Sequence, residues 1–125
     1  RPSSQVEFAK SDCFALGIMG AIRESGDIEG TPAVELRTEN GSVMLDKGLI
    51  IAKRHIHMTP SDAEEFGVKN GDIVSVHVNT NAGRDIVFGD TVVRVSEKYA
   101  LAMHIDTDEC NAGCCAGVVY GDIVK

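Results

Sequence analysis

Apolar residues in this chain recur mostly at alternate positions in short bursts, the period of strands rather than of helices. The pattern predicts strands at Gln5–Ala9, Ala33–Arg37, Ser42–Leu45, Leu49–His57, Ile73–Val78, Arg84–Phe88, Thr91–Val95, Leu101–Ile105 and Val118–Val124. Turn signals such as Asn40-Gly41, Asn70-Gly71 and Asn81-Ala82-Gly83 separate them. Helices are brief. Thr59-Pro60-Ser61-Asp62 supplies an N-cap, a proline at the first helical position and a carboxylate three residues after the cap, and Gly67 supplies the stop. Similar short helical turns are expected at Ser11–Leu16 and Thr107–Ala112. Short strands at close intervals predict a mainly β fold, a barrel or sandwich. The unit Gly67–Val76, echoed at Gly89-Asp90-Thr91 and Gly121-Asp122-Ile123, reads as architecture: glycine for a tight turn, aspartate for nearby amides, then a strand.

Composition narrows the partners. With 125 residues, 43% of them hydrophobic, the chain has room for a modest core. The longest apolar run, around Gly48 to Ala52, reads as a strand and supports neither a membrane span nor a signal peptide. Twelve basic residues against 19 acidic ones give a charge of −7. No basic cluster is interleaved with aromatics, which argues against nucleic acid as a partner. An anionic substrate would need local positive charge from a metal and a few arginines. Cys13, Cys110, Cys114 and Cys115 form no pair of C-x-x-C motifs, and a reducing cytoplasm is their simplest setting. Cys110 and Cys114 could serve as thiolate ligands or fill small apolar space at a helix end. No phosphate-cradling glycine loop and no nucleophile elbow is present.

The chemistry concentrates in two polar clusters set in strand-like runs, Arg54-His55-Ile56-His57-Met58 and Met103-His104-Ile105-Asp106-Thr107-Asp108-Glu109. Residues i and i+2 of a strand share a face, so His55 and His57 stand side by side, roughly 7 Å apart at the backbone. Two imidazoles so placed can converge on one metal at about 2.0–2.1 Å per nitrogen. A lone histidine on an apolar strand is ordinarily a hydrogen-bonded structural residue, and a single His-x-His arises by chance. His104, flanked by carboxylates, supplies a third imidazole if its strand is a neighbour. His77 shows only strand alternation and is expected to face solvent. Asp106, Asp108 and Glu109 read either as partners of His104 or as caps of the following helix, capping being favoured for the last two.

Lys53-Arg54-His55-Ile56-His57-Met58-Thr59-Pro60, then Phe88-Gly89-Asp90 leading to Arg94-Val95-Ser96, then Met103-His104-Ile105-Asp106-Thr107-Asp108-Glu109 with Asn111-Ala112, resemble the PduL-type phosphotransacylases. These are the phosphate propanoyltransferases of bacterial propanediol-utilising microcompartments and their acetyl-CoA-using relatives. Gln5-Val6-Glu7 and Arg23-Glu24-Ser25-Gly26-Asp27 resemble the same family. The resemblance covers essentially the whole chain and makes residues 1–125 the central and C-terminal part of such an enzyme. It implies two β-barrels capped by short α-helices, this chain being a fragment of that two-barrel enzyme. It implies zinc, two ions per complete enzyme, and exchange of an acyl group between coenzyme A and phosphate. By position His55, His57 and His104 resemble the ligands of one metal, Glu7 the carboxylate of the second, and Arg1 the phosphate-binding arginine. Family members carry an earlier Arg-His-x-His segment for the second metal, which lies outside this sequence. The implied partners are acyl-CoA, phosphate, a second copy in a homo-oligomer and microcompartment enzymes; no nucleic acid or membrane partner is expected. The implied location is the cytoplasm or the lumen of a microcompartment.

Two other classes fit the same residues. A metal-dependent hydrolase would use three histidines to activate water, and would need no coenzyme A. A non-catalytic barrel module would use the Gly-Asp-strand units as scaffold and hold no tight metal. Acyl-chain preference is not encoded legibly, since one methylene is worth only about 1–3 kcal/mol of discrimination.

Overall fold

The structure is a computed structural model that describes residues 1–124. The chain forms two compact units, Arg1–Lys53 and Arg54–Lys125. Both are dominated by strands, as the alternation predicts.

In the first unit β1 (Val6–Glu7) is followed by α1 (Lys10–Leu16), β2 (Ala21–Arg23), β3 (Val34–Thr38), β4 (Gly41–Leu45) and β5 (Leu49–Ala52). β5 is the middle strand of a three-stranded parallel sheet, with β1 and β2 at its sides. Leu49, Ile50 and Ile51 are buried in succession, the continuous apolar run that a strand covered on both faces requires. Gly48 lets the chain enter this strand. Its φ is +117°, and a Cβ there would stand 2.8 Å from the Ser4 carbonyl oxygen. β3 and β4 form a separate antiparallel hairpin.

The second unit runs β6 (His55–Met58), α2 (Pro60–Phe66), β7 (Ile73–Val78), β8 (Ile86–Val95), β9 (Ala102–His104), α3 (Thr107–Gly113) and β10 (Gly121–Val124). Its five strands form one curled half-barrel sheet in the order β10-β7-β8-β6-β9. β6 runs parallel to β8 and antiparallel to β9. The core of this unit gathers Ile56, Met58, Ala63, Val68, Val76, Val78, Phe88 and Val93. α2 is capped as its sequence specifies: the Thr59 hydroxyl accepts from the Asp62 N–H, the Asp62 carboxylate takes the Thr59 N–H, and Gly67 closes the helix in the left-handed region.

Three differences from the alternation pattern have physical causes. Leu49–His57 is two strands, because hydrogen bonding changes partner between Lys53 and Arg54. The Lys53 N–H donates to the Arg23 carbonyl (2.9 Å), whereas the Arg54 carbonyl accepts from Val92 (3.2 Å). Arg84–Phe88 and Thr91–Val95 are one strand. Gly89-Asp90 is a bulge within it rather than a turn: Asp90 has a φ of +48°, the register against β7 shifts between Val74 and Val76, and the buried Thr91 hydroxyl bonds back to the carbonyls of Phe88 and Gly89. β2 carries too few apolar residues to register as a strand in sequence, and its pairing with β5 creates it.

Candidate metal centre

Burial along β6 alternates: Ile56 and Met58 face the core, His55 and His57 the opposite face. The same division extends sideways. Ile56 is level with Val93 of β8 and Met103 of β9, all turned to the apolar side, while His55 stands directly opposite His104. A cavity of about 390 Å³, lined by Ile56, Met58, Phe66, Met103 and other apolar side chains, lies on the core side. The imidazoles occupy the other face, so this apolar cavity and the polar chemistry lie on opposite sides of the sheet.

The three rings converge. Ring centroids are 4.7 Å apart for His55 and His57, 4.9 Å for His55 and His104, and 4.5 Å for His57 and His104. One ligand nitrogen from each lies within 4.8 Å of the others. Two nitrogens bound to a tetrahedral zinc are about 3.3 Å apart, by the usual bond lengths, so small ring rotations would close the set on an ion. His57 Nε2 is buried without a hydrogen-bond partner, a costly state for a ring nitrogen unless something else occupies it. Burial lowers the pKa of His57, helped by the neighbouring His104, His55 and Arg94 charges. Burial likewise lowers that of His104, with His55 and Arg94 contributing. Both shifts favour the neutral imidazole, the form that binds metal. The donor set therefore fits a borderline-soft divalent ion such as zinc.

The surroundings fix these rings. Tyr99 stacks on His57 with centroids 3.9 Å apart and planes 8° from parallel. Of the acidic residues after His104, Asp106 and Glu109 cap the following helix, and Asp108 does not. Asp106 is the N-cap of α3 and Glu109 completes a capping box, each side chain accepting the other's backbone N–H, while Asp108 lies within the first turn. Asp106, left open between two roles by sequence, thus takes the cap. Glu109 also receives Arg54 Nη1 at 2.6 Å, and Arg54 Nε donates to the Gly89 carbonyl at 2.7 Å. The corner after His104 is thereby tied to the residue before His55. His77 is half-exposed beside Asp85, 3.4 Å away. All four cysteines are free. The Cys110 thiol donates to the Cys115 carbonyl, whereas Cys114 is exposed in the left-handed region and fills no apolar space.

Arg1 and Glu7 lie in the first unit and meet at one side chain. Arg1 donates to the Ser25 hydroxyl, and that hydroxyl donates to Glu7 Oε1 at 3.1 Å. Gln5 joins them, bonding Glu7, Ser25 (2.9 Å) and the Gly26 N–H (2.7 Å). Among the described residues Glu7 belongs to no group of three metal-capable side chains; His55, His57 and His104 form the group found. Ser25, Tyr99 and Arg94 were not singled out from sequence. Ser25 and Arg94 sat inside the family-like motifs, but their roles depend on which residues the fold sets beside them.

Residues 1–116 match the family model for phosphate propanoyltransferase, and the chain belongs to that family. It is 48% identical over 124 residues to a phosphate propanoyltransferase of Thermotoga maritima, a match covering 99% of this chain and 57% of that relative. It is 49% identical over 125 residues to the phosphate propanoyltransferase of Listeria monocytogenes, covering 100% and 58% respectively. The one from Limosilactobacillus reuteri is 50% identical over 112 residues, covering 90% and 52%. The chain thus spans little more than half the length of the curated relatives it matches. Among the described residues no helix is long and apolar enough to cross a membrane.

Proposed function

We propose that this chain carries part of the active site of a phosphate acyltransferase that interconverts acyl-CoA and phosphate with acyl phosphate and coenzyme A, the acyl group being propanoyl or acetyl. The observation that carries this reading is the convergence of His55, His57 and His104 on one sheet face with His57 Nε2 left unpartnered, in a chain of the phosphate propanoyltransferase family. These three imidazoles would hold zinc, and Glu7 would serve a second ion. A divalent ion there supplies Lewis acidity and offsets the repulsion between two anionic reactants.

The remaining work falls to side chains. In the reaction a phosphate oxygen forms a bond to the thioester carbonyl carbon as the C–S bond breaks and coenzyme A leaves as its thiolate. Phosphate is already anionic at neutral pH, so the reaction needs orientation and charge compensation more than a strong base. The Arg1 guanidinium, held by Ser25, is suited to bind two phosphate oxygens at once. The hydrogen-bonded corner of Arg54, Glu109 and Asp106 keeps β6 and the turn after His104 in one geometry. Four free thiols fit a reducing interior, the bacterial cytoplasm or the lumen of a microcompartment.

The test is elemental analysis of the purified chain together with thiol release from propanoyl-CoA and acetyl-CoA, each with and without phosphate. Zinc with phosphate-dependent release is expected of the transferase. Zinc with release of free acid independent of phosphate would replace it with a hydrolase, and absence of zinc would leave a scaffold barrel.

A further inference from the structure

Six arginines occur in the chain, and five of them have partners. Arg1 bonds Ser25, Arg23 pairs with Asp27, Arg37 with Glu35, Arg54 with Glu109, and Arg84 donates to the Ala112 carbonyl. Arg94 is the exception: it is half-buried, yet makes no hydrogen bond or ion pair among the described residues. Its place is specific. In the parallel pairing of β6 with β8 it is level with His57, so both side chains leave the sheet on the same face. It is near enough for its charge to act on both His57 and His104. The positions in register around it on that face, His55, His57, His104, Val92 and Ala102, include no carboxylate. A half-buried guanidinium left uncompensated beside three imidazoles, in a chain of net charge −7, marks a place kept for an anion from outside.

We propose that Arg94 is a phosphate-positioning residue, its guanidinium taking oxygens of inorganic phosphate at the imidazole face. This rests on the metal-centre reading above. A guanidinium presents a planar fork of donors that matches two oxygens of a phosphate, whereas an ammonium supplies charge without the fork. The geometry also orders the two arginines: Arg1 is already engaged by Ser25, while Arg94 stands open.

The experiment titrates inorganic phosphate, and separately coenzyme A, into the zinc-supplemented chain and its Arg94→Met and Arg94→Lys variants by calorimetry, with zinc content measured in each. The proposal expects Arg94→Met to keep zinc and weaken phosphate binding at least about tenfold, with Arg94→Lys recovering part of the loss and coenzyme A affinity unchanged. Unaltered phosphate affinity in a zinc-loaded Arg94→Met variant overturns the role of Arg94 while leaving the metal centre standing. Zinc lost along with phosphate in both variants overturns it in favour of a structural role, and weakened coenzyme A with unaltered phosphate overturns the choice of ligand. A parent chain that takes up no zinc and binds no phosphate overturns the metal-centre reading and this proposal together.

Discussion

The imidazole face of the second unit and the Arg1–Gln5–Glu7–Ser25 network of the first are both polar clusters, but they are built in opposite ways. The histidines project from a sheet whose reverse side is packed with Ile56, Met58, Val93 and Met103, so their backbones are held by hydrophobic burial. One ring nitrogen among them, His57 Nε2, is buried without a hydrogen-bond partner. The first-unit network hangs on a two-residue strand and is largely exposed, and its side chains bond one another. Its members therefore satisfy themselves. A rigid support with open donors is pre-organised for a ligand, because the cost of holding three rings together is met by the core before the ligand arrives. A self-bonded network must first be opened.

The contrast can be broken at several points, the largest effect first. His57→Ala is expected to take zinc from one equivalent per chain to none in elemental analysis, with far-ultraviolet circular dichroism retained; a variant that keeps its equivalent would remove His57 from the ligand set. Met58→Ala tests the support from behind. Met58 is fully buried on the core side of β6, and its truncation should cost about 2–5 kcal/mol in denaturant unfolding. A cost near zero would mean that the core does not hold the histidine strand. Arg54→Met should lower stability by about 1–3 kcal/mol, because the partly buried Glu109 carboxylate loses its cation and the Gly89 carbonyl loses a donor. The same variant should loosen the corner after His104, read as faster amide exchange at Ile105 and Asp106. Ser25→Ala is expected to change stability by no more than about 0.5 kcal/mol, since the network it joins is mostly solvated. A drop comparable to that of Met58→Ala would erase the distinction between the two clusters.

Much of the second unit is legible in its sequence. The capping box at Thr59 and Asp62 and the stop at Gly67 are local chemistry, decided within seven or eight residues, and the helix forms where they place it. Alternation in His55-Ile56-His57-Met58 likewise fixes which residues share a face, since side chains on a strand can go only two ways. The run Leu49–His57 misled for a complementary reason: alternation reports burial, not partners, and two sheets can be served by one continuous pattern. Gly89-Asp90 has the composition of a turn, and only the antiparallel partner β7 makes it a bulge.

By itself, then, the sequence determined a mainly β chain, its capped helices, the common face of His55 and His57, and the membership of the family to which those motifs belong. Tertiary structure alone decided that His104 stands opposite His55, that Tyr99 covers His57, and that Arg94 joins the imidazole face. The reason is physical: local geometry follows from bonds within a few residues, whereas strand order and register are settled by which apolar faces pack together across the whole unit.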